Sequence, residues 1–306
     1  MTNPTGWTAP AAMIQTVAEI SPPIDPNRIL STLLAVDVVL LGLAVVIVLA
    51  FLAWVLRQRR DPLGNTPLRP NRIREDSLAL AAMVYILAVI LLSGLMSLTH
   101  GAEESLISTL GIGIGAQLAG SAACLAIASK RFDGGVSQFL WGRPGDSRRL
   151  WAPMIAALAV VGIGLCPAVS ELTMRCIQLV APEFSFPLHP TIQALRDDEQ
   201  PMIVVLTLWS GAVVIAPIAE ELFFRGLLQT ALLSVTRNRW SAIAIASALF
   251  ALVHYRQPHA VAALMALSVL LGFAYERTGS LLPPILIHAA FNAKTLVWEA
   301  LGAFPT

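Results

Sequence analysis

Glu220, Glu221 and Arg225 sit in "APIAEELFFRG", near the end of the apolar run "MIVVLTLWSGAVVIAPIAEELFFRGLLQTALLS". A charge at mid-bilayer costs from about 2.5 to well over 10 kcal/mol, so such residues face a protein interior or a hydrated cavity and mark a functional site by default. The last hundred residues add His254, His288 and Asn292 to this set. A positioned carboxylate can take a proton from water, and an imidazole can bind and polarise that water. Amide and imidazole donors can steady negative charge as it develops. One intramembrane His alone reads as an interhelical contact, and one Glu–Arg pair alone reads as a packing lock. Their coincidence is what points to chemistry.

Helix geometry orders these residues. Glu221 and Arg225 are four apart, share a face and can pair. Glu220 is rotated by about 100° and must point elsewhere. One glutamate is therefore expected to be structural and the other free for chemistry. The turn "TRNRW" centres near Arg237, with Glu220 seventeen residues before it and His254 seventeen after it. An antiparallel hairpin would bring both to one height, about 25 Å or less from the turn. His288 and Asn292 lie one turn apart on a later helix that enters from the same side.

The elements that hold them read as membrane helices. The chain has 306 residues, 56% hydrophobic and 13% charged, with a mean hydropathy of +0.72. Soluble domains carry about 25% charged residues. The expected fold is an all-α polytopic membrane helical bundle of about eight transmembrane helices. Spans are expected near 32–56, 77–98, 105–129, 151–180, 202–234, 240–256, 259–275 and 281–302. No alternating pattern points to a β-barrel. The expected organisation is an irregular tail over 1–31 and four helices of unassigned role over 32–180. An outer loop over 181–201 and a helical core carrying the site over 202–302 follow.

Basic residues concentrate on one side. The segment 57–76 carries Arg57, Arg59, Arg60, Arg69, Arg72 and Arg74, and 130–150 carries Lys130, Arg131, Arg143, Arg148 and Arg149. Arg237, Arg239 and Arg277 fall on that same side, against Arg28, Arg196 and Arg256 opposite. The basic side is expected to face the cytoplasm, with both termini outside. That places the protein in a plasma (inner) membrane with its site in the cytoplasmic half. No cleavable signal peptide is evident, and the first span is expected to act as its own anchor.

Other features read as structural. Gly111 and Gly115 have small-xxx-small spacing for close helix packing. Cys124, Cys166 and Cys176 read as small buried residues. The outer loop, with His189, Asp197, Asp198 and Glu199, reads as a solvated linker. His100, with Glu103 and Glu104, reads as an outer turn, and His259 as a helix boundary. A net charge of +1 leaves no nucleic-acid footprint.

"EELFFR", "FALVH" and "HAAFN" together resemble the CPBP family of intramembrane proteases, which includes the type II CAAX prenyl endopeptidases and Abi-type proteins. The pattern EExxxR, FxxxH, HxxxN falls on Glu220, Glu221 and Arg225, on Phe250 and His254, and on His288 and Asn292. "YERTGSLLPPILIHAAFN" is similar to the family's approach to its third motif. The resemblance covers about residues 205–295. It implies peptide-bond hydrolysis with Glu220 as general base and His254 holding the water. His288 and Asn292 would be the oxyanion-stabilising pair, and Glu221, Arg225 and Phe250 would orient the helices. The substrate would be a membrane-embedded or lipid-linked peptide, beside a lipid bilayer and without nucleic acid.

The alternative with a metal is a zinc held by Glu220, His254 and His288. The sequence lacks HExxH, and the glutamate-base reading, which requires no cofactor, is preferred. Two other functions are weighed. One is a non-catalytic membrane partner or immunity protein of the same fold. The other is an ion-coupled transporter, against which the absence of broken helices in two related halves counts.

Overall fold

The computed structural model describes residues 26–64, 66, 73, 75–100, 106–132, 134–142, 151–186 and 200–301. The expectations for His189, Glu103, Glu104, Asp197, Asp198 and Glu199 fall outside the described residues. So do those for Arg69, Arg72, Arg74, Arg143, Arg148, Arg149 and Arg196.

Nine helices are present among the described residues. They are α1 (Pro26–Gln58), α2 (Glu75–His100), α3 (Leu106–Arg131), α4 (Gly135–Trp141) and α5 (Trp151–Val180). The remainder are α6 (Met202–Thr236), α7 (Arg239–Leu252), α8 (Pro258–Thr278) and α9 (Leu282–Ala300). Six of them, α1, α2, α3, α5, α6 and α8, are long and apolar enough to cross a membrane. About eight spans were expected; α7, a shorter apolar helix, and α9 are not among the six, and the fold is an all-α integral membrane bundle.

Two segments in the first half of the chain differ from expectation. The tail was expected to run irregularly to residue 31, but α1 begins at Pro26. Proline is accommodated in a first helical turn because that turn's N–H groups have no partner within the helix. Residues 135–141, expected within a loop, form α4. Seven residues cannot span a bilayer. Instead Phe139, 1% exposed, anchors α4 in a cluster with Phe132, Leu222, Leu227, Tyr275 and Leu281. Leu140 O then accepts from Ser280 Oγ (2.7 Å) and Leu281 N (3.0 Å), tying α4 to the α8–α9 turn.

Caps explain the turns among the last helices. Arg237 closes α6 in the left-handed region (φ 53°), and the Asn238 side chain accepts from Ser241 N to start α7. Gly279 (φ 69°) ends α8, a conformation glycine adopts at no steric cost.

α5 lies between α1 on one side and α8 and α9 on the other. Gly162 and Gly164 permit this. A methyl on Gly164 would strike the Leu40 carbonyl of α1, and one on Gly162 would press on Leu267 of α8. Small residues let helix backbones approach in lipid, where dispersion contacts drive association. The stretch expected to do this, Gly111 and Gly115, does so only in part. Gly115 packs on Leu92 of α2, whereas Gly111 has nothing within 4 Å. Cys124 and Cys166 are buried as expected, but Cys176 is exposed.

Polar ties cross the bundle at both ends. Lys294 Nζ of α9 lies 2.9 Å from Asp37 Oδ1 of α1, and Trp298 Nε1 donates to Asp37 Oδ2 (2.9 Å). At the other end Arg239 donates to the carbonyls of Leu63 and Thr66, and Trp240 Nε1 donates to Asp61 Oδ1 (3.1 Å). Leu63 is fully buried. The segment after α1 is thus strapped over the start of α7.

Candidate functional site

α6 carries the two glutamates, and its backbone is not uniform. Two π-helical stretches, Gly211–Ile215 and Leu222–Gln229, flank the α-helical Ala216–Glu221. Such wide turns recur at functional sites. α6 also changes neighbours here. Its Gly211–Glu221 part packs on α9, and its Leu222–Thr236 part packs on α7. Glu220 and Glu221 stand at this exchange.

Glu221 is fully buried, and Arg225 is 1% exposed. Arg225 Nη1 donates to Glu221 Oε1 (2.9 Å), the pairing expected from their spacing. Arg225 Nη2 donates to Ser268 Oγ (2.7 Å) and Ser268 O (3.2 Å) of α8. The guanidinium lies over the Phe250 ring of α7, 4.8 Å from its centroid. Two charges taken out of water need partners of this density to offset their desolvation. One buried pair thereby joins α6, α7 and α8.

His288 of α9 joins the two glutamates. Its Nδ1 lies 2.9 Å from Glu221 Oε1, and its Nε2 lies 3.8 Å from Glu220 Oε2. Glu221 already accepts from Arg225, so it acts as the acceptor for a protonated Nδ1. That leaves Nε2 turned to Glu220. The 3.8 Å gap exceeds a direct hydrogen bond, and one water can bridge it. The Glu220 side chain is 27% exposed, against 0% for Glu221. Adjacent carboxylates thus occupy unlike environments, one locked and one open.

His254 was expected on the same helix as Phe250. α7 instead ends at Leu252, and His254 lies in the following turn with its Nδ1 2.9 Å from Phe250 O. Its ring is 5.1 Å from that of Phe250, which is 5.8 Å from that of His288. His254 and His288 are both within electrostatic range of the Glu220 carboxylate. Asn292 Nδ2 donates to Ala212 O (2.8 Å) in the first π-helical stretch, so one of its two N–H groups holds α9 to α6.

Sequence reasoning missed Ser268, Gln229 and Glu276. Gln229 Nε2 donates to Glu276 Oε1 (2.9 Å) and Gly272 O (3.2 Å). Arg225 meets Ser268, and Gln229 meets Gly272, both at a separation of 43 residues. α6 and α8 therefore run parallel in fixed register. The signal was the four-residue stripe Ser268, Gly272, Glu276, which matches Arg225 and Gln229. Among the described residues no three His, Cys, Asp or Glu side chains are grouped as metal ligands.

The fold and site define an integral membrane protein with a buried carboxylate–imidazole centre on its last four helices. Residues 202–294 match the family model described as type II CAAX prenyl endopeptidase Rce1-like. That match falls on the segment carrying the three motifs that resemble the CPBP family. A protein of Escherichia coli, described as an uncharacterized 24.3 kDa protein, is 30% identical over 160 residues. That match covers 50% of this chain and 65% of the relative, so the chain spans just under two thirds of the relative's length. No solved structure matches the chain.

Proposed function

We propose that the protein is an intramembrane endopeptidase that hydrolyses a peptide bond of a membrane-associated or lipid-linked substrate. The observation that carries this reading is His288 between the two glutamates, Nδ1 on Glu221 and Nε2 facing Glu220 across 3.8 Å. A water in that gap would give one proton to Glu220 and direct the other at Nε2, leaving its lone pairs free to attack a carbonyl. Glu220 then acts as general base. His288, held by Glu221 and Arg225, and His254 orient the water. The second N–H of Asn292 remains to meet the developing oxyanion. A donor of that kind is worth about 2.7–4 kcal/mol in the transition state. No step requires a metal.

In this reading residues 202–302 form the catalytic unit, and the helices before them anchor and brace it. The end of the bundle bearing Arg237 and Arg239 faces the cytoplasm of an inner membrane, and the termini lie opposite. A cysteine introduced as Asn238→Cys should resist an impermeant thiol reagent applied to right-side-out vesicles. Labelling there would reverse the orientation.

The test of activity uses purified protein in nanodiscs and a library of prenylated and unprenylated peptides, with and without a chelator. Glu220→Gln and His254→Ala should each lose cleavage, and the chelator should leave the wild type active. Cleavage at the wild-type rate by either variant would overturn that residue's catalytic role. Inhibition by the chelator would overturn the metal-free mechanism.

A further inference from the structure

A recess of about 730 Å³ lies far from the two glutamates, where α1 ends and α7 begins. It is lined by Val55, Leu56, Arg59, Arg60, Asp61, Pro62 and Trp240. Its composition changes along its depth. Val55 and Leu56 belong to the last turns of the apolar α1 span, which ends at Gln58. Arg59 and Arg60 follow at once, so they stand where hydrocarbon gives way to headgroups. Trp240 is the residue type that settles at that boundary. Its ring stacks on Phe273 of α8 (6.2 Å), which meets Phe51 of α1 edge-on (5.9 Å). The apolar wall thus continues into the bilayer as aromatic rings from three helices.

The two arginines are exposed, and neither guanidinium has a hydrogen bond or ion pair among the described residues. The one acid in the recess, Asp61, is engaged elsewhere. Its Oδ1 accepts from Trp240 Nε1 (3.1 Å) and from Leu63 N (3.0 Å), which holds the wall in shape. Arg239, bonded to the Leu63 and Thr66 carbonyls, pins the same strap. The cleft is therefore built before any ligand arrives, with two arginines at its rim whose guanidiniums have no partner among the described residues, and carbon below.

We propose that this recess binds an anionic phospholipid of the bilayer, its phosphate on Arg59 and Arg60 and an acyl chain along Val55, Leu56 and Trp240. Two exposed guanidiniums present planar donors suited to a phosphate. A basic residue near an anionic leaflet contributes about 1 kcal/mol. This inference does not depend on the catalytic reading.

The test uses full-length protein reconstituted in phosphatidylcholine with and without phosphatidylglycerol, then released for native mass spectrometry. Wild type should retain phosphatidylglycerol. The double variant Arg59→Gln/Arg60→Gln should retain it about thirtyfold more weakly. Arg57→Gln, which removes one charge just outside the recess, should retain it as wild type does. Phosphatidylglycerol should also raise the unfolding temperature of wild type and not that of the double variant, which in phosphatidylcholine alone should match wild type. Equal retention by wild type and double variant would overturn the site. So would equal loss in Arg57→Gln, which would mean only a diffuse basic surface. Binding of inorganic phosphate with no retained lipid would assign the arginines to a soluble anion and also overturn the proposal.

Discussion

α1 and α2 are as apolar as anything in the molecule, yet only 6% of the most apolar window of each is buried, against 39% in α8. The difference lies in what each region hides. Within 26–180 the buried polar side chains among the described residues are Ser77 and Ser108. Within 202–301 they include Glu221, Arg225, Gln229, Ser268, Glu276 and His288. Hydropathy alone therefore does not say which helix is central. The outer helices turn leucine and valine to lipid, whereas the inner ones meet through hydrogen bonds that only one register satisfies. In lipid, where apolar side chains gain little by leaving their solvent, such bonds are what fix one arrangement over another.

That contrast can be broken from the largest effect downward. Glu220→Gln should lower cleavage by about 10²–10⁴-fold, the range for a lost general base, with no change in unfolding temperature. A fall in stability instead would place Glu220 with the structural carboxylate. Arg225→Leu should act in the opposite manner. It strands Glu221 in the interior and should cost about 3–5 kcal/mol, read as unfolding in mixed micelles. A stable Arg225→Leu protein would mean that the buried pair does not hold the core.

Smaller changes sharpen the same line. Gly226→Ala sets a methyl against the Phe139 ring and should cost about 1–3 kcal/mol. Gly111→Ala, with open space around it, should be silent in the same unfolding assay. Leu91→Ala, at a position of α2 that is 62% exposed, should shift stability by less than about 0.5 kcal/mol. A larger loss would show that α2 packs on something beyond the helices described.

Much of this was legible in the chain. The six long spans followed from apolar length, and the Glu221–Arg225 pair followed from four-residue spacing. The unlike fates of Glu220 and Glu221 followed from a 100° step. What escaped has identifiable physical causes. α4 is too short to show a period, and its single anchor, Phe139, reads as an ordinary loop aromatic. His254 leaves the helix because α7 ends at Leu252, a boundary no residue type announces. "GIGIG" in α3 drew attention as a packing motif, while "VVGIGLC" in α5 makes the closer crossing. Which glycine is used depends on neighbours brought by tertiary structure. The Asn292 bond to Ala212 O needs two helices to be seen together.

The π-helical stretch Gly211–Ile215 also sets the phase of everything after it on α6. Each residue advances a helix by about 100°, so removing one residue from that stretch turns the following segment by that angle. Glu221 would then take the face that Glu220 presents and Glu220 that of Ala219, although every letter of the motif remained. The identity of the base is therefore written partly in backbone winding several residues upstream. A one-residue gap there would set Glu221 where the base stands and turn Glu220 away, in a sequence whose motif still reads as intact.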